Sequence, residues 1–149
     1  MGGHSKEAAD ALARACAEAM WPDDNATNHL GMELFDVSAG RASMRLRVQP
    51  HMANGHGLCH GGYIFLLADS AFAYACNTYD HRTVAQQASI AFVASGKVGD
   101  VLTARAREVS KSGRSGIYDI TVTREDGGVI AEFRGHSRVI KGHILPQKS

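Results

Sequence analysis

The stretch HGLCHGGYIFLLADSAFAYAC (residues 56–76) decides how the rest of the chain is read. From residue 61 to 77 it is apolar almost throughout, has no breaker after its paired glycines, and is too long for a strand. It therefore predicts a helix buried around most of its circumference. Such a helix must be covered on several sides, and the flanking sequence offers strands to do it. In residues 41–48, Ala42, Met44, Leu46 and Val48 alternate with Ser43, Arg45 and Arg47, the period of a strand with one wet face. MELFDV before it reads as another strand, joined through the turn SAG. After TYDHRT the chain turns β-rich: VAQQASIAFV, DVLTARAREVSK, GIYDITVTRE and GVIAEFRGHSRVI, with KSGRSG and EDGG as turns between the last three.

Ahead of these strands, residues 5–20 predict an Ala-rich helix capped by Ser5, with Ala8, Leu12, Ala15 and Ala19 on one face. WPDDN breaks it, because Pro22 cannot continue a helix. The C-terminal tail, KGHILPQKS, reads as loose. The expected order is α-β-β-α-β-β-β-β, an α+β domain spanning residues 1–149. That length is right for one domain and short for two.

Bulk properties exclude several classes of function. A formal net charge of +1 lacks the basic stripe that wholesale nucleic-acid binding needs. The longest apolar run is too short and interrupted to span a membrane. The N-terminus has no apolar core of signal type, and Lys6 stands where a myristoylation motif wants Ser or Thr. Three cysteines, Cys16, Cys59 and Cys76, are an odd number without repeating spacing, which points to a reducing, cytoplasmic setting rather than a disulfide framework.

One residue of the apolar run is out of character. Asp69 has Phe65, Leu66, Phe72 and Ala73 as its helical neighbours, so its carboxylate lies on a desolvated face, where its pKa should rise. Such a group is either a base or nucleophile, or a structural carboxylate with a partner elsewhere. Ser70 beside it adds a second polar group, unless its hydroxyl bonds back to the helix. At the helix start, His60, Gly61 and Gly62 place two residues without Cβ where free amides and the helix dipole favour a developing oxyanion, or else merely shape a tight turn. Eight residues of rise put Asp69 roughly 12 Å along the axis from Gly61. One molecule cannot aim both at one carbonyl, so either a second chain supplies the carboxylate or the two do not collaborate.

NGHGLCHGGYIFLLADSAFAYACN, with GIYDITV and FRGHSRVI, resembles the phenylacetate-degradation (PaaI-type) thioesterases of the hotdog fold, over residues 30–140. The resemblance implies a long helix wrapped by a curved antiparallel sheet, and subunits paired as homodimers that assemble into a homotetramer. Each active site would lie at a dimer interface. It implies hydrolysis of an acyl-CoA thioester, of phenylacetyl or hydroxyphenylacetyl type first, without metal or other cofactor. The Gly61 amide would polarise the carbonyl and Asp69 of the partner would act as base or nucleophile. His60 would shape the loop, Asn54 would lie near the attacking water, and Ser70 would hold the water or the carboxylate. Gly62 and Phe65 would line the substrate site, with Tyr63, Phe72 and Tyr74 as further aromatic material. Lys97, Lys111 and Arg114, read as lying in turns, would meet the CoA phosphates. The chain departs from the pattern in VASGKVGD, which lacks a frequent proline. It departs again at Gln86 and Gln87, where some relatives carry a small hydroxyl residue.

Other readings compete. His51, His56 and His60 could hold a metal, but their spacing falls in a glycine-rich loop rather than on one helix face. Cys59 beside His60 could be a nucleophile, though adjacent residues rarely face each other. A hydratase would want a His five residues after Asp69, where Tyr74 stands. A non-catalytic acyl-CoA-binding module, or a thioesterase for medium-chain or other aryl groups, are the remaining alternatives.

Overall fold

The computed structural model describes residues 2–147. Helix α1 (Gly2–Met20) leads through a 3-10 turn (Trp21–Asp23) into the short helix α2 (Asn25–His29). Strands β1 (Glu33–Ser38) and β2 (Arg41–Arg47) follow, then a 3-10 turn (Pro50–Met52) and helix α3 (Gly61–Cys76). Strands β3 (Thr83–Phe92), β4 (Val101–Ser112), β5 (Ser115–Thr123) and β6 (Val129–Val139) complete the chain. The six strands form one antiparallel sheet in the order β1-β2-β4-β5-β6-β3, wrapped around α3.

The sheet closes on the helix because each strand sends alternate residues inward. Met44 and Leu46 of β2, Leu102 of β4, Ile120 of β5 and Phe133 of β6 are buried with Leu67 of α3. Burying side chains of this size stabilises the fold by about 1.5–3 kcal/mol each. The two hairpin turns occur where the sequence placed them, with Gly113 and Gly127 both at positive φ. Outward, Arg134 makes a bidentate pair with Asp119 at 2.6 and 2.8 Å. Strand β3 pairs only with β6, so its other edge is open along ten residues, and Val84, Phe92 and the adjacent Val93 are exposed there. Gln86 is the extra residue of a bulge in this strand.

Four local expectations are corrected. Helix α1 begins at Gly2, so Ser5 lies within it rather than capping it. Its buried face is Ala13, Cys16 and Ala17, while Ala8 and Ala19 are exposed, because a helix with alanine on every side has little intrinsic direction and docks by its smallest stripe. WPDDN does end α1, and its Asp24 caps α2 through Thr27 N–H. The tail is tied down as far as Gln147. The Asp80 carboxylate, on a residue at φ +60°, accepts the amides of Ile144 (3.0 Å) and Leu145 (2.7 Å) and the side-chain amide of Gln147. On the wet face of β2, Ser43 is nevertheless buried, between Phe35 and Arg105 of the neighbouring strands.

Candidate active site

The loop before α3 is built from its own polar groups. The Asn54 side-chain oxygen accepts from the amides of His56 (2.9 Å) and Leu58 (3.1 Å), folding residues 54–58 into a tight turn. Cys59 N–H donates to Gly96 O and His60 N–H to Met52 O, both at 2.8 Å, which ties this loop to the one following β3. His60 then caps the helix: its Nδ1 accepts from Gly62 N–H at 2.8 Å, so the ring proton sits on Nε2.

The paired glycines have separate reasons, and neither is a turn with positive φ. A Cβ on Gly62 would lie 3.0 Å from His60 Nδ1, so the capping imidazole needs that position bare. A Cβ on Gly61 would lie 3.1 and 3.2 Å from two carbons of the Phe92 ring, which rests against the helix start. The Gly61 N–H, unlike its neighbour's, has no acceptor among the described residues. It is a first-turn amide at the positive end of a sixteen-residue helix, where a hydrogen-bond acceptor is favoured.

Asp69 lies two turns along α3, half-buried on the side of the helix that also carries Gly62 and the exposed Phe65. Burial raises its carboxyl above the ordinary 3.8, and no other cause contributes. It has no hydrogen-bond or ion-pair partner among the described residues. The other half-buried carboxylates all have donors: Asp10 (Ala39 N–H), Asp24 (Tyr74 hydroxyl), Asp80 (Leu145 N–H), Asp100 (Lys97 N–H), Glu108 (Tyr79 hydroxyl) and Asp119 (Arg134). Asp69 is thus partly desolvated and has no partner among the described residues of its own chain, which leaves the structural reading only a partner in another chain.

The remaining residues divide. Ser70 is buried and makes no hydrogen bond to Asp69. Phe72 and Tyr74 are core: Phe72 packs against Tyr118 and Phe133, and the Tyr74 hydroxyl donates to Asp24. Tyr63 meets both His51 and His60 edge to face, which places an aromatic ring beside each imidazole. Among the described residues no three His, Cys, Asp or Glu side chains gather as a metal site would require. Cys59 is buried and its thiol is pushed up by burial, the wrong direction for a thiolate nucleophile.

Lys97 stands by the loop at the start of α3, bridged to Leu58. Lys111 and Arg114 lie at the opposite end of that helix. They line a cleft of about 230 Å³ with Cys76, Tyr79, His81 and Tyr118. Lys111 is in β4 rather than in a turn, its ammonium 3.9 Å from the Tyr79 ring centroid. Within one chain, then, the three cations do not converge. Phe92 was not singled out in the sequence. Its signal was an aromatic ending an edge strand, which became meaningful only once the strand lay beside Gly61.

A long helix wrapped by an antiparallel sheet is the hotdog arrangement. Residues 56–131 match the family described as the Thioesterase superfamily, and the chain belongs to it. Among its relatives is the "Acyl-coenzyme A thioesterase PaaI" of Escherichia coli (strain K12), 40% identical over 128 residues that cover 86% of this chain and 91% of the relative. The solved structure of the E. coli PaaI protein, from the phenylacetic acid degradation operon, matches with a TM-score of 0.88 at 38% identity, covering 90% of this chain and 97% of that one. A Streptococcus mutans UA159 protein, smu.793, solved bound to acetyl CoA, matches with a TM-score of 0.72 at 27% identity, covering 75% and 90%. The protein is a hotdog thioesterase, homologous to PaaI.

Proposed function

We propose that the protein hydrolyses acyl-CoA thioesters to the free acid and CoA, with phenylacetyl-CoA or hydroxyphenylacetyl-CoA as the leading substrates. The carrying observation is Asp69, the half-buried carboxylate that nothing in its own chain satisfies. The names of the relatives supply CoA and the phenylacetic acid operon as context.

In this reading the Gly61 N–H donates to the thioester carbonyl oxygen. A water molecule, deprotonated by Asp69, attacks the carbonyl carbon, and the oxyanion formed is held by that same amide. The carbon–sulfur bond then breaks, and the CoA thiolate takes up the proton from Asp69. Thioester and water are the only reactants, so no cofactor is called for. His60 keeps the helix start open by occupying the Gly62 amide, leaving Gly61 free, and Asn54 holds the adjoining loop in shape. Ser70, next to Asp69 on α3 and without a hydrogen bond to it, would hold the water or the carboxylate only through a group outside its own chain.

Gly61 and Asp69 of one chain are roughly 12 Å apart along the helix, so the partner subunit supplies the carboxylate. The open edge of β3 is where a second copy would pair, as an unpaired strand edge invites. A two-fold crossing α3 midway between Gly61 and Asp69, near Phe65, sets Asp69 of each chain at the level of Gly61 of the other. The same axis carries the far end of the partner's helix past the start of the first. Lys111 and Arg114 of one protomer are thereby brought to the end where Lys97 of the other stands, a mouth suited to CoA phosphates. Two such dimers would form the tetramer. Three free, buried cysteines fit a cytoplasmic setting.

The test is thiol release from a panel of CoA thioesters carrying phenylacetyl, hydroxyphenylacetyl, benzoyl and straight-chain acyl groups. Asp69→Asn is expected to keep the fold by circular dichroism and lose roughly 10²- to 10⁴-fold in kcat, as removal of a general base does. Equal rates in both proteins would make Asp69 structural, and no rate in either would favour a non-catalytic binding module.

A further inference from the structure

The geometry points to Phe92 as the residue that sets the acyl preference of this site: we propose that its ring is the wall against which the acyl substituent packs, and that it favours an aryl group over a straight chain. This rests on the thioesterase reading above and deepens it.

The backbone that carries the ring is held from both sides. Phe92 is paired with Ala131 at the end of β3, and the next two amides, Val93 and Ala94, both donate to Ile130 O. Four residues on, Gly96 O accepts from Cys59 N–H, which fixes the same loop to the segment leading into α3. The result is a phenyl ring whose edge meets the bare Cα of Gly61, with 54% of the residue still exposed. In the dimer proposed above the partner pairs along this edge, so the ring lies at the junction of the two chains, beside the amide that receives the carbonyl.

What covers it follows from the carbonyl's position. An oxygen accepting from Gly61 N–H sits about 3 Å from that nitrogen, so the two substituents of the carbonyl carbon pass beside Phe92. One is the sulfur of the CoA arm, which leads on through amides to phosphates and needs donors and cations. The other is the acyl group. Strand β3 runs antiparallel to α3 here: Phe92 meets the helix start, and Ile90 pairs with Phe133, whose ring meets Phe65 further along the helix. Phe92 therefore lies at Gly61, and Ile90 at the level of Phe65. Phe65 is itself 36% exposed and meets Phe133 edge to face at 5.2 Å. Ile90 and Ala88 are packed against the core from the same face of the strand. From Gly61 towards Asp69 the surface is thus Phe92, Ile90 and Phe65, apolar and without a cation, so it takes the acyl group and leaves the CoA arm to the Lys97 side.

An aryl group gains from a ring beyond the area it covers, by roughly two- to tenfold per aromatic pair. The experiment compares kcat/KM for phenylacetyl-CoA and hexanoyl-CoA in wild type, Phe92→Ala, Phe92→Leu and Phe92→Tyr. The phenylacetyl-to-hexanoyl ratio should fall about tenfold in Phe92→Ala and less in Phe92→Leu, carried by KM, and should survive in Phe92→Tyr, which keeps the ring. A ratio unchanged in Phe92→Ala, or a common fall in kcat for both substrates, would overturn the proposal. Wild type inactive on both thioesters would refute the reaction instead. Relative affinities for the matching non-hydrolysable thioethers would then still decide for or against Phe92.

Discussion

Gly135→Ala is a severe test of how α3 is seated. Gly135 lies in β6 opposite Tyr118, and a Cβ there would stand 2.7, 2.7 and 2.8 Å from three carbons of the Phe72 ring. Ordinary carbon contacts begin near 3.5 Å, so the ring would have to retreat by most of an ångström. It has nowhere to go: Phe72 is 1% exposed, with the rings of Tyr118 and Phe133 centred 5.6 and 5.9 Å away. Backbone effects act the other way. Gly135 is not at positive φ, so alanine is allowed there and should by itself stabilise by about 0.4–1 kcal/mol through the unfolded chain. Overpacking costs up to about 3 kcal/mol, leaving a net loss of about 2 kcal/mol. At 2–4 °C per kcal/mol for a chain of this size, the Tm should fall by roughly 4–8 °C.

The assay is urea unfolding with thermal melts at matched protein concentration, run as a cycle with Phe72→Leu. Leucine removes the ring edge that the new methyl strikes, so the double variant should be more stable than the sum of the single costs by about 1 kcal/mol or more. Phe72 also lies one turn beyond Asp69 on the same helix, so Gly135→Ala should lower activity although the site is untouched. A Gly135→Ala protein within 0.5 kcal/mol of wild type, or an additive cycle, would refute the packing account of this glycine.

Gly61→Ala should leave the Tm close to wild type, since the methyl meets only the free end of the Phe92 side chain. Its kcat/KM should nevertheless drop roughly 10- to 100-fold as the ring and the carbonyl site are displaced. Gly62→Ala should cost stability instead, about 1 kcal/mol, by pushing the His60 imidazole off its cap. A pair of variants behaving alike would deny the glycines separate roles. For Asp69→Asn, stability should depend on pH in a defined sense. The folded carboxyl titrates above its ordinary 3.8 because of burial, so wild type loses stability as pH rises through that folded pKa. Asparagine cannot ionise, so its Tm should match wild type in acid and exceed it at neutral pH. A gap that closes on raising the pH would contradict a desolvated Asp69.

Most of the sheet and α3 were legible because their signals are local. Period-two alternation marks β2, an apolar run beyond strand length marks α3, and glycine at positive φ marks the turns at Gly113 and Gly127. The parts that were not legible depend on distant partners. The docking face of α1 is chosen by the sheet, not by an alanine pattern that offers several faces. The tail is ordered by Asp80, more than sixty residues earlier. At the site, the paired glycines and Asp69 stood out in the sequence, but why each glycine is there did not. That required knowing that an imidazole two residues back and a phenyl ring from another strand approach the same turn of helix.

The division between those glycines bears on the chemistry. A helix start offers several free amides, and a substrate carbonyl that could choose among them would be poorly oriented. His60 removes one by accepting from Gly62, and Phe92 narrows the approach to the other. A single donor then remains beside an apolar ring, and in the proposed reaction its direction orients the carbonyl. Asp69, the carboxylate proposed to complete the reaction, is partly desolvated and has no partner among the described residues, at a cost to the fold. Since that carboxylate stands two turns from the amide in its own chain, the orientation set by one protomer matters only if another supplies the base. A mixture of Gly61→Ala and Asp69→Asn chains, each strongly impaired alone, should therefore rise to about a quarter of wild-type activity once the subunits exchange at random, because only mixed dimers contain an intact pair. No recovery after exchange, with hybrid dimers demonstrated by mass spectrometry, would place both groups in one chain's site and refute the shared arrangement.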